Sequence, residues 1–201
     1  MTHTLANAKS RSQSLTADGG IDYTSGKNSA GVKYTFSRTP SNHFSYHAKS
    51  LSNVPWITED ITSTNNLNTQ SFRHYMNGYA DISLPFDIGM RIDLDYISGK
   101  NSSSNITVQE ETTTEIFNHN ETASKLAAGK IEFTRNFGDW EINAGADYTY
   151  TYSNQSFTSK SNSGDNNMLR PATDRVKQNL ASGYLSADYR LNDKYCQYAI
   201  N

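Results

Sequence analysis

Between Leu84 and Ser98 the chain alternates with a period of two. Ile88, Met90, Ile92, Leu94 and Tyr96 are apolar, and Gly89, Arg91, Asp93 and Asp95 stand between them. Successive side chains of a β-strand point to opposite sides, so this stretch predicts a strand with one apolar face. From Trp140 the pattern repeats: Trp140, Ile142, Ala144, Ala146, Tyr148, Tyr150 and Tyr152 take one side, Glu141, Asn143, Gly145, Asp147, Thr149 and Thr151 the other. That strand runs for about 13 residues, against roughly 5 to 6 in ordinary soluble strands and 9 to 11 in a tilted membrane-spanning one. Its length favours the membrane.

Three further segments share the phase: Gly78, Ala80, Ile82, Leu84; Gly129, Ile131, Phe133; and Gly183, Leu185, Ala187, Tyr189, Leu191. A weaker copy is Ala30, Val32, Tyr34, Phe36. Taking Ala30, Gly78, Gly129 and Gly183 as equivalent gives intervals of 48, 51 and 54 residues, an internal repeat whose unit is a hairpin. Short turns are expected at Thr39–Asn42, Pro85–Asp87, Asn136–Asp139 and Asn192–Lys194. Between hairpins, about Ser52 to Gln70, Gly99 to Glu121 and Ser153 to Asp174, the chain is dominated by Ser, Thr, Asn, Lys and Glu and reads as long polar loops. Tight turns at one end and long loops at the other are the plan of an outer-membrane barrel. Aromatic residues gather at both strand ends: Phe86, Phe137, Trp140 and Tyr195 beside the turns, Tyr96, Tyr148, Tyr150 and Tyr152 toward the loops. Rings with one wet end suit two membrane interfaces.

Composition supports order without a conventional core. Hydrophobic residues make up 35% of 201, and mean hydropathy is −0.73. Yet the chain holds 13 Tyr, 8 Phe and 2 Trp, which disordered segments lack. A net charge of −2 and a pI near 6.2 give no basic stripe of the kind a phosphate backbone requires, so nucleic acid is not an expected partner. Net electrostatics points to no particular ligand. The single cysteine, Cys196, excludes an internal disulfide and a Cys-based zinc cluster. No apolar run reaches the roughly 20 residues of a spanning helix, and the first residues lack the apolar stretch of a signal peptide.

No constellation points to catalysis or a cofactor. Ser25-Gly26-Lys27-Asn28-Ser29 and Ser98-Gly99-Lys100-Asn101-Ser102 share only the tail of a phosphate loop, and Asp-Tyr before each copy marks them as repeated strand exits. His43 and His47 fall on a strand, where four residues span about 13 Å, too far for one metal ion. Glu110, Glu111, Glu115 and Asp165 read as solvated loop acids. The sequons at Asn105, Asn120 and Asn154 mean little in a chain so rich in Asn, Ser and Thr. A membrane-embedded hydrolase would need a histidine with an acid or serine at the loop end, for which His119, near Asn120 and Glu121, is the one candidate.

Residues 129–150, Gly-Lys-Ile-Glu-Phe-Thr-Arg-Asn-Phe-Gly-Asp-Trp-Glu-Ile-Asn-Ala-Gly-Ala-Asp-Tyr-Thr-Tyr, and 181–195, Ala-Ser-Gly-Tyr-Leu-Ser-Ala-Asp-Tyr-Arg-Leu-Asn-Asp-Lys-Tyr, resemble hairpins of the outer-membrane β-barrel family of Bacteroidetes. Such barrels commonly form the C-terminal part of TonB-dependent receptors. The resemblance covers roughly residues 20 to 200 and is one of texture and hairpin phasing. Receptors of this kind typically have 22 strands, a plug and a TonB box, and neither plug nor box is identifiable here. The resemblance implies a fragment cut at both ends.

The expected fold is therefore all-β, an antiparallel meander of about eight or nine long strands with no helix beyond two turns, forming part of a transmembrane barrel and an open curved sheet if isolated. Residues 1–201 form one partial domain, with 1–15 poorly ordered. Ile88, Met90, Ile92, Leu94, Ile131, Phe133, Ile142, Ala144, Leu185 and Ala187 are expected to face lipid, with Ile142 at mid-depth. Arg91, Asp93, Asp95, Lys130, Glu132, Glu141, Asn143, Asp147, Asp188 and Arg190 are expected to face the lumen. The implied location is the bacterial outer membrane, and the implied partners are its lipid, the rest of the barrel, a plug and TonB, and an unidentified ligand. The first functional reading is a wall segment of a transport receptor. A second is a structural or adhesive surface protein that binds glycan or another surface partner, in which the apolar face would be buried against a second sheet.

Overall fold

The computed structural model describes the backbone of residues 2–52, 60–110, 113–162, 170–191 and 194–200, with the side chains of 4–50, 62–110, 113–162 and 170–190. Among the described residues eight strands lie in chain order: β1 (Thr2–Ser25), β2 (Asn28–Ser52), β3 (Asp60–Leu84), β4 (Ile88–Gln109), β5 (Thr114–Phe137), β6 (Trp140–Ser161), β7 (Ala172–Leu191) and β8 (Lys194–Ile200). Each pairs antiparallel with the next in one sheet of order β1 to β8. The all-β meander expected from the alternation is thus the observed fold. Among the described residues the only helical element is a three-residue 3-10 turn, Pro85–Asp87.

Two of the expected turns lie where the sequence placed them. Pro85–Asp87 joins β3 to β4, and Gly138-Asp139 joins β5 to β6 with Gly138 at φ 60°, a backbone region where a Cβ would clash. The turn at Asn192-Asp193 lies outside the described residues. The turn expected at Thr39–Asn42 is not one. There β2 carries a bulge, with Arg38 facing Leu15 and Ser41 facing Gln13, so one extra residue is accommodated around Pro40. Proline has no N–H to donate to a ladder and is tolerated at such a bulge. The β1–β2 turn falls instead at Gly26-Lys27, where Gly26 has φ 61°. The two Ser-Gly-Lys-Asn-Ser copies therefore differ. The first is a hairpin turn, while the second runs through the middle of β4, with Gly99 facing Arg73.

Strand length is the larger correction. The stretches read as polar loops are mostly strand, and β1 to β7 span 20 to 25 residues each. The hairpin of β4 and β5 closes beyond Gln109↔Thr114, where the Thr113 amide donates to the Glu110 carbonyl. Ser, Thr, Asn and His side chains pair across these ladders. His47 Nδ1 lies 3.0 Å from Thr64 Oγ1, Ser104 Oγ 2.9 Å from His119 Nδ1, and Asn65 Nδ2 3.4 Å from Thr107 Oγ1. The start of the chain follows the same rule: residues 2–15, expected to be poorly ordered, form the first half of β1 and pair with β2. Ala30 also drops out of the repeat. It lies on β2 and runs opposite to Gly78, Gly129 and Gly183, which occupy β3, β5 and β7.

Successive hairpins are staggered. Their closing pairs are Ser25↔Asn28, Leu84↔Ile88, Phe137↔Trp140 and Leu191↔Lys194. Ser29, one residue past the first closing pair, faces Asp81, three residues short of Leu84. Ile88 faces Arg135, two residues short of Phe137, and Trp140 faces Tyr189, two residues short of Leu191. Each hairpin thus ends two residues farther out than its predecessor, an offset of one residue per strand. With about 3.3 Å per residue and about 4.8 Å between strands, that offset tilts the strands by about 35° from the normal to the line of turns. Closed barrels use tilts of roughly 35–45°.

The sheet is a single layer. No hydrophobic residue among those described is buried, and Leu94, Leu185 and Tyr148 are at least half exposed.

Candidate functional site

The register sorts the sheet into two faces. Rows of paired residues on one face read Ile21, Val32, Gly78, Leu94, Gly129, Tyr148, Ala181, and next to them Tyr23, Ala30, Ala80, Ile92, Ile131, Ala146, Gly183. Toward the turns follow Ile82, Met90, Phe133, Ala144, Leu185, then Leu84, Ile88, Arg135, Ile142, Ala187. All ten residues expected to face lipid share this apolar face. It also carries Arg135, whose guanidinium lies 4.1 Å from the Phe137 ring centroid. Ile142 pairs with Arg135 only three residues past Asp139, so it sits near the turn end of its strand and not toward the middle of the apolar face.

Aromatic rows border this face. At the turn end Trp140 packs on Tyr189 with centroids 4.8 Å apart, beside Phe137. At the far end stand Tyr34, Phe36, Tyr96, Tyr150 and Tyr152, and Phe36 and Phe72 both pack on His74. Trp140 is one residue past its turn and Tyr150 eleven past it. At a tilt of about 35° each residue climbs about 2.7 Å, so the band between these rows is about 27 Å tall.

The opposite face carries all ten residues expected to line a lumen, and the sheet brings most of them into one polar lattice. The row Asp22, Gly31, Tyr79, Asp93, Lys130, Asp147, Ser182 adjoins the row Ser29, Asp81, Arg91, Glu132, Gly145, Tyr184. Arg91 Nε donates to Asp93 at 3.0 Å and a second guanidinium nitrogen lies 4.0 Å from Asp81. Lys130 Nζ lies 2.9 Å from Glu132, and Ser182 donates to Asp147. Tyr75 and Asn77 both donate to Asp95, at 3.0 and 2.9 Å. Asn143 accepts from Thr134 at 2.7 Å and donates to Glu141 at 3.3 Å. Asp188 faces Glu141 across β6 and β7, and Arg190 lies on the same side of β7.

One arrangement occurs twice in this lattice, and the sequence pattern alone did not expose it. The Tyr79 ring crosses Gly31 so that its hydroxyl donates to Asp22 two strands away at 3.0 Å. Likewise the Tyr184 ring crosses Gly145 to donate to Glu132. A Cβ on Gly145 would lie 2.5 Å from the Tyr184 ring, and one on Gly31 2.5 Å from Tyr79. Glycine leaves the space that the ring occupies, and a side chain there would have to displace the ring.

Charge is sorted as well, which the net value of −2 conceals. The polar face holds Asp18, Asp22, Asp81, Asp93, Asp95, Glu132, Glu141, Asp147, Asp174 and Asp188 against Lys33, Arg73, Arg91, Lys130 and Arg190. The apolar face holds Lys9, Arg11, Arg38, Lys49, Lys100, Lys125, Arg135, Lys160, Arg175 and Lys177, with Glu115 and Glu121 as its acids among the described residues. A basic stripe thus exists on one side, contrary to what overall composition implied.

The remaining candidates do not assemble a reactive centre. His119 accepts or donates to Ser104, while Glu121, the acid on its face, is held by Lys100 at 2.8 Å. His43 and His47 share a face of β2, and no group of three metal-ligating side chains occurs among the described residues. Glu111, Asp165 and the side chains of Tyr195 and Cys196 lie outside the described residues.

No family model and no curated protein matches this chain. Among solved structures it is similar to the ferric yersiniabactin uptake receptor FyuA from Yersinia pestis, at 12% identity and a TM-score of 0.40 over 83% of this chain and 26% of that one. It is similar to the RagAB peptide transporter, at 11% identity and a TM-score of 0.46 over 87% and 30%. It is also similar to the ferric-catecholate import receptor Fiu from E. coli K12, at 12% and 0.46 over 94% and 35%. The chain spans about a quarter to a third of the length of these structures.

Proposed function

We propose that this chain is part of the wall of a bacterial outer-membrane β-barrel receptor, with the apolar face toward lipid and the polar lattice toward the lumen. The observation that carries the reading is the exposed apolar band, about 27 Å tall between two aromatic rows, since an outer-membrane barrel presents an apolar band of about 25 Å between two aromatic girdles. The one-residue stagger per strand supplies the tilt such a wall needs. A surface protein with a two-sheet core would bury Leu94 and Leu185, and both are more than half exposed. The lumen side suits passage of a polar cargo, because its groups are polar and many are paired with one another. The wall acts as scaffold and the long strand extensions reach toward the ligand. The rest of the ring, a plug and TonB are the partners this role requires, and the wall has no enzymatic part in it.

Spin labels placed one at a time at residues 130 to 133 in the membrane-reconstituted protein test the assignment. Oxygen should relax the labels at 131 and 133, and a water-soluble nickel complex those at 130 and 132. Labels with equal access to both reagents would overturn the lipid-facing wall.

A further inference from the structure

Building on that reading, we infer that the apolar face ends in a binding surface for the phosphorylated sugar headgroup of an outer-leaflet glycolipid. Level with the outermost members of the upper aromatic row, Tyr150 and Tyr152, stand Arg38, Lys100, Lys125 and Lys177, and they form a belt. Counted from their own hairpin ends, Arg38 is eleven residues from Lys27, Lys100 thirteen from Asp87, Lys125 thirteen from Gly138, and Lys177 fourteen from Leu191. These separate strands therefore deliver their cations to nearly one height, about 30 to 38 Å above the turns at about 2.7 Å per residue. That height is where headgroups begin if the band below is in hydrocarbon.

The belt is concentrated on β4 to β7. Lys125 and Lys177 flank Tyr152 in a single register row, and Arg175 follows Lys177 on the same side of β7. Lys125, Arg175 and Lys177 are exposed and have no acidic partner among the described residues. Between the hairpin ends and this belt the apolar face carries no acid among the described residues. Glu121 is the first to appear, and it pairs with Lys100. An unneutralised cation cluster at the edge of a membrane attracts anionic headgroups. Ammonium and guanidinium groups together match phosphate oxygens.

What lies above the cations narrows the class to a glycolipid. The next rows on the same face read Gln70, Ser102, Glu121, Ser156, Thr173, then Asn68, Ser104, His119, Thr158. Hydroxyls and amides directly beyond a phosphate-binding belt are donors and acceptors for sugar hydroxyls. A phospholipid headgroup is too short to reach both rows. The belt sits at the end where the strands extend farthest, which in such barrels is the outer leaflet.

The test is native mass spectrometry of the membrane-extracted full-length protein, loaded from mixed micelles with diphosphoryl lipid A, dephosphorylated lipid A or phosphatidylglycerol. Diphosphoryl lipid A should be retained about tenfold more strongly than either alternative. Lys125→Gln with Lys177→Gln should abolish that preference, Lys125→Arg with Lys177→Arg should keep it, and Lys160→Gln, higher on the same face, should leave it unchanged. Comparable retention of dephosphorylated lipid A or phosphatidylglycerol, or an unaltered preference in the double glutamine variant, would overturn the inference while leaving the wall in the membrane. Retention of no lipid at all would overturn the wall reading too.

Discussion

On the proposed reading of the chain as a barrel wall, an arginine at position 131 offers the sharpest measure of where the membrane would lie. Ile131 is seven residues from Gly138 and pairs with Ile92 and Ala146, whereas Ile142 is three residues from Asp139 beside Arg135. At about 2.7 Å per residue these side chains stand about 19 Å and about 8 Å above the turn. The band centre is near 16 Å on the same scale, halfway between Trp140 and Tyr150. Ile131→Arg thus puts a charge within a few ångströms of the midplane, where arginine costs about 2–4 kcal/mol, and Ile142→Arg puts one near the interface, where it costs about 0–1 kcal/mol. The first corresponds to a shift in the folding equilibrium of roughly 30-fold to several hundred-fold. Equilibrium guanidinium unfolding in lipid vesicles, followed by tryptophan fluorescence and by heat-modified gel mobility, reads both variants. On the polar face, Asn143→Ala removes its bonds to Thr134 and Glu141 and should cost about 1 kcal/mol without a dependence on depth. Equal costs for Ile131→Arg and Ile142→Arg, or less than about 0.5 kcal/mol for the former, would refute the placement of the band.

Other outcomes follow from the same geometry. Gly145→Ala should destabilise by about 1–3 kcal/mol, because its Cβ meets the Tyr184 ring, and Tyr184→Ala in the same chain should recover most of that loss in a double-mutant cycle. Gly138→Ala should cost about 1 kcal/mol through its positive φ and show itself as slower assembly in refolding kinetics. The 201-residue chain expressed alone should require detergent, since β1 and β8 leave two open edges; a monodisperse, heat-resistant monomer in plain buffer would contradict this.

Facing was legible in the sequence wherever large apolar residues alternate with charge, as at Ile88 to Tyr96, because a period of two needs only local reading. Strand length was not. In Ser102 to Val108 and Asn154 to Lys160 the residues that favour turns are as common as those that favour strands, and only pairing with a neighbour shows that they continue the ladder. Thr39-Pro40-Ser41-Asn42 looks like a stronger turn than Gly26-Lys27, yet it lies inside β2, where partners on both sides override local preference. The Tyr–Gly–acid crossings and the belt of cations each combine residues from separate strands. Their alignment depends on register, which a one-residue slip would reverse.

The stagger of one residue per strand also bears on the ring this wall would belong to. Going once around a closed ring, the pattern returns to its first strand displaced by as many residues as there are strands. At the seam where last meets first, an odd displacement would set an inward side chain opposite an outward one and break the alternation that separates lipid from water. A ring that keeps this slope at every strand therefore closes only with an even number of strands, and adding or deleting one hairpin keeps that parity while adding or deleting one strand does not.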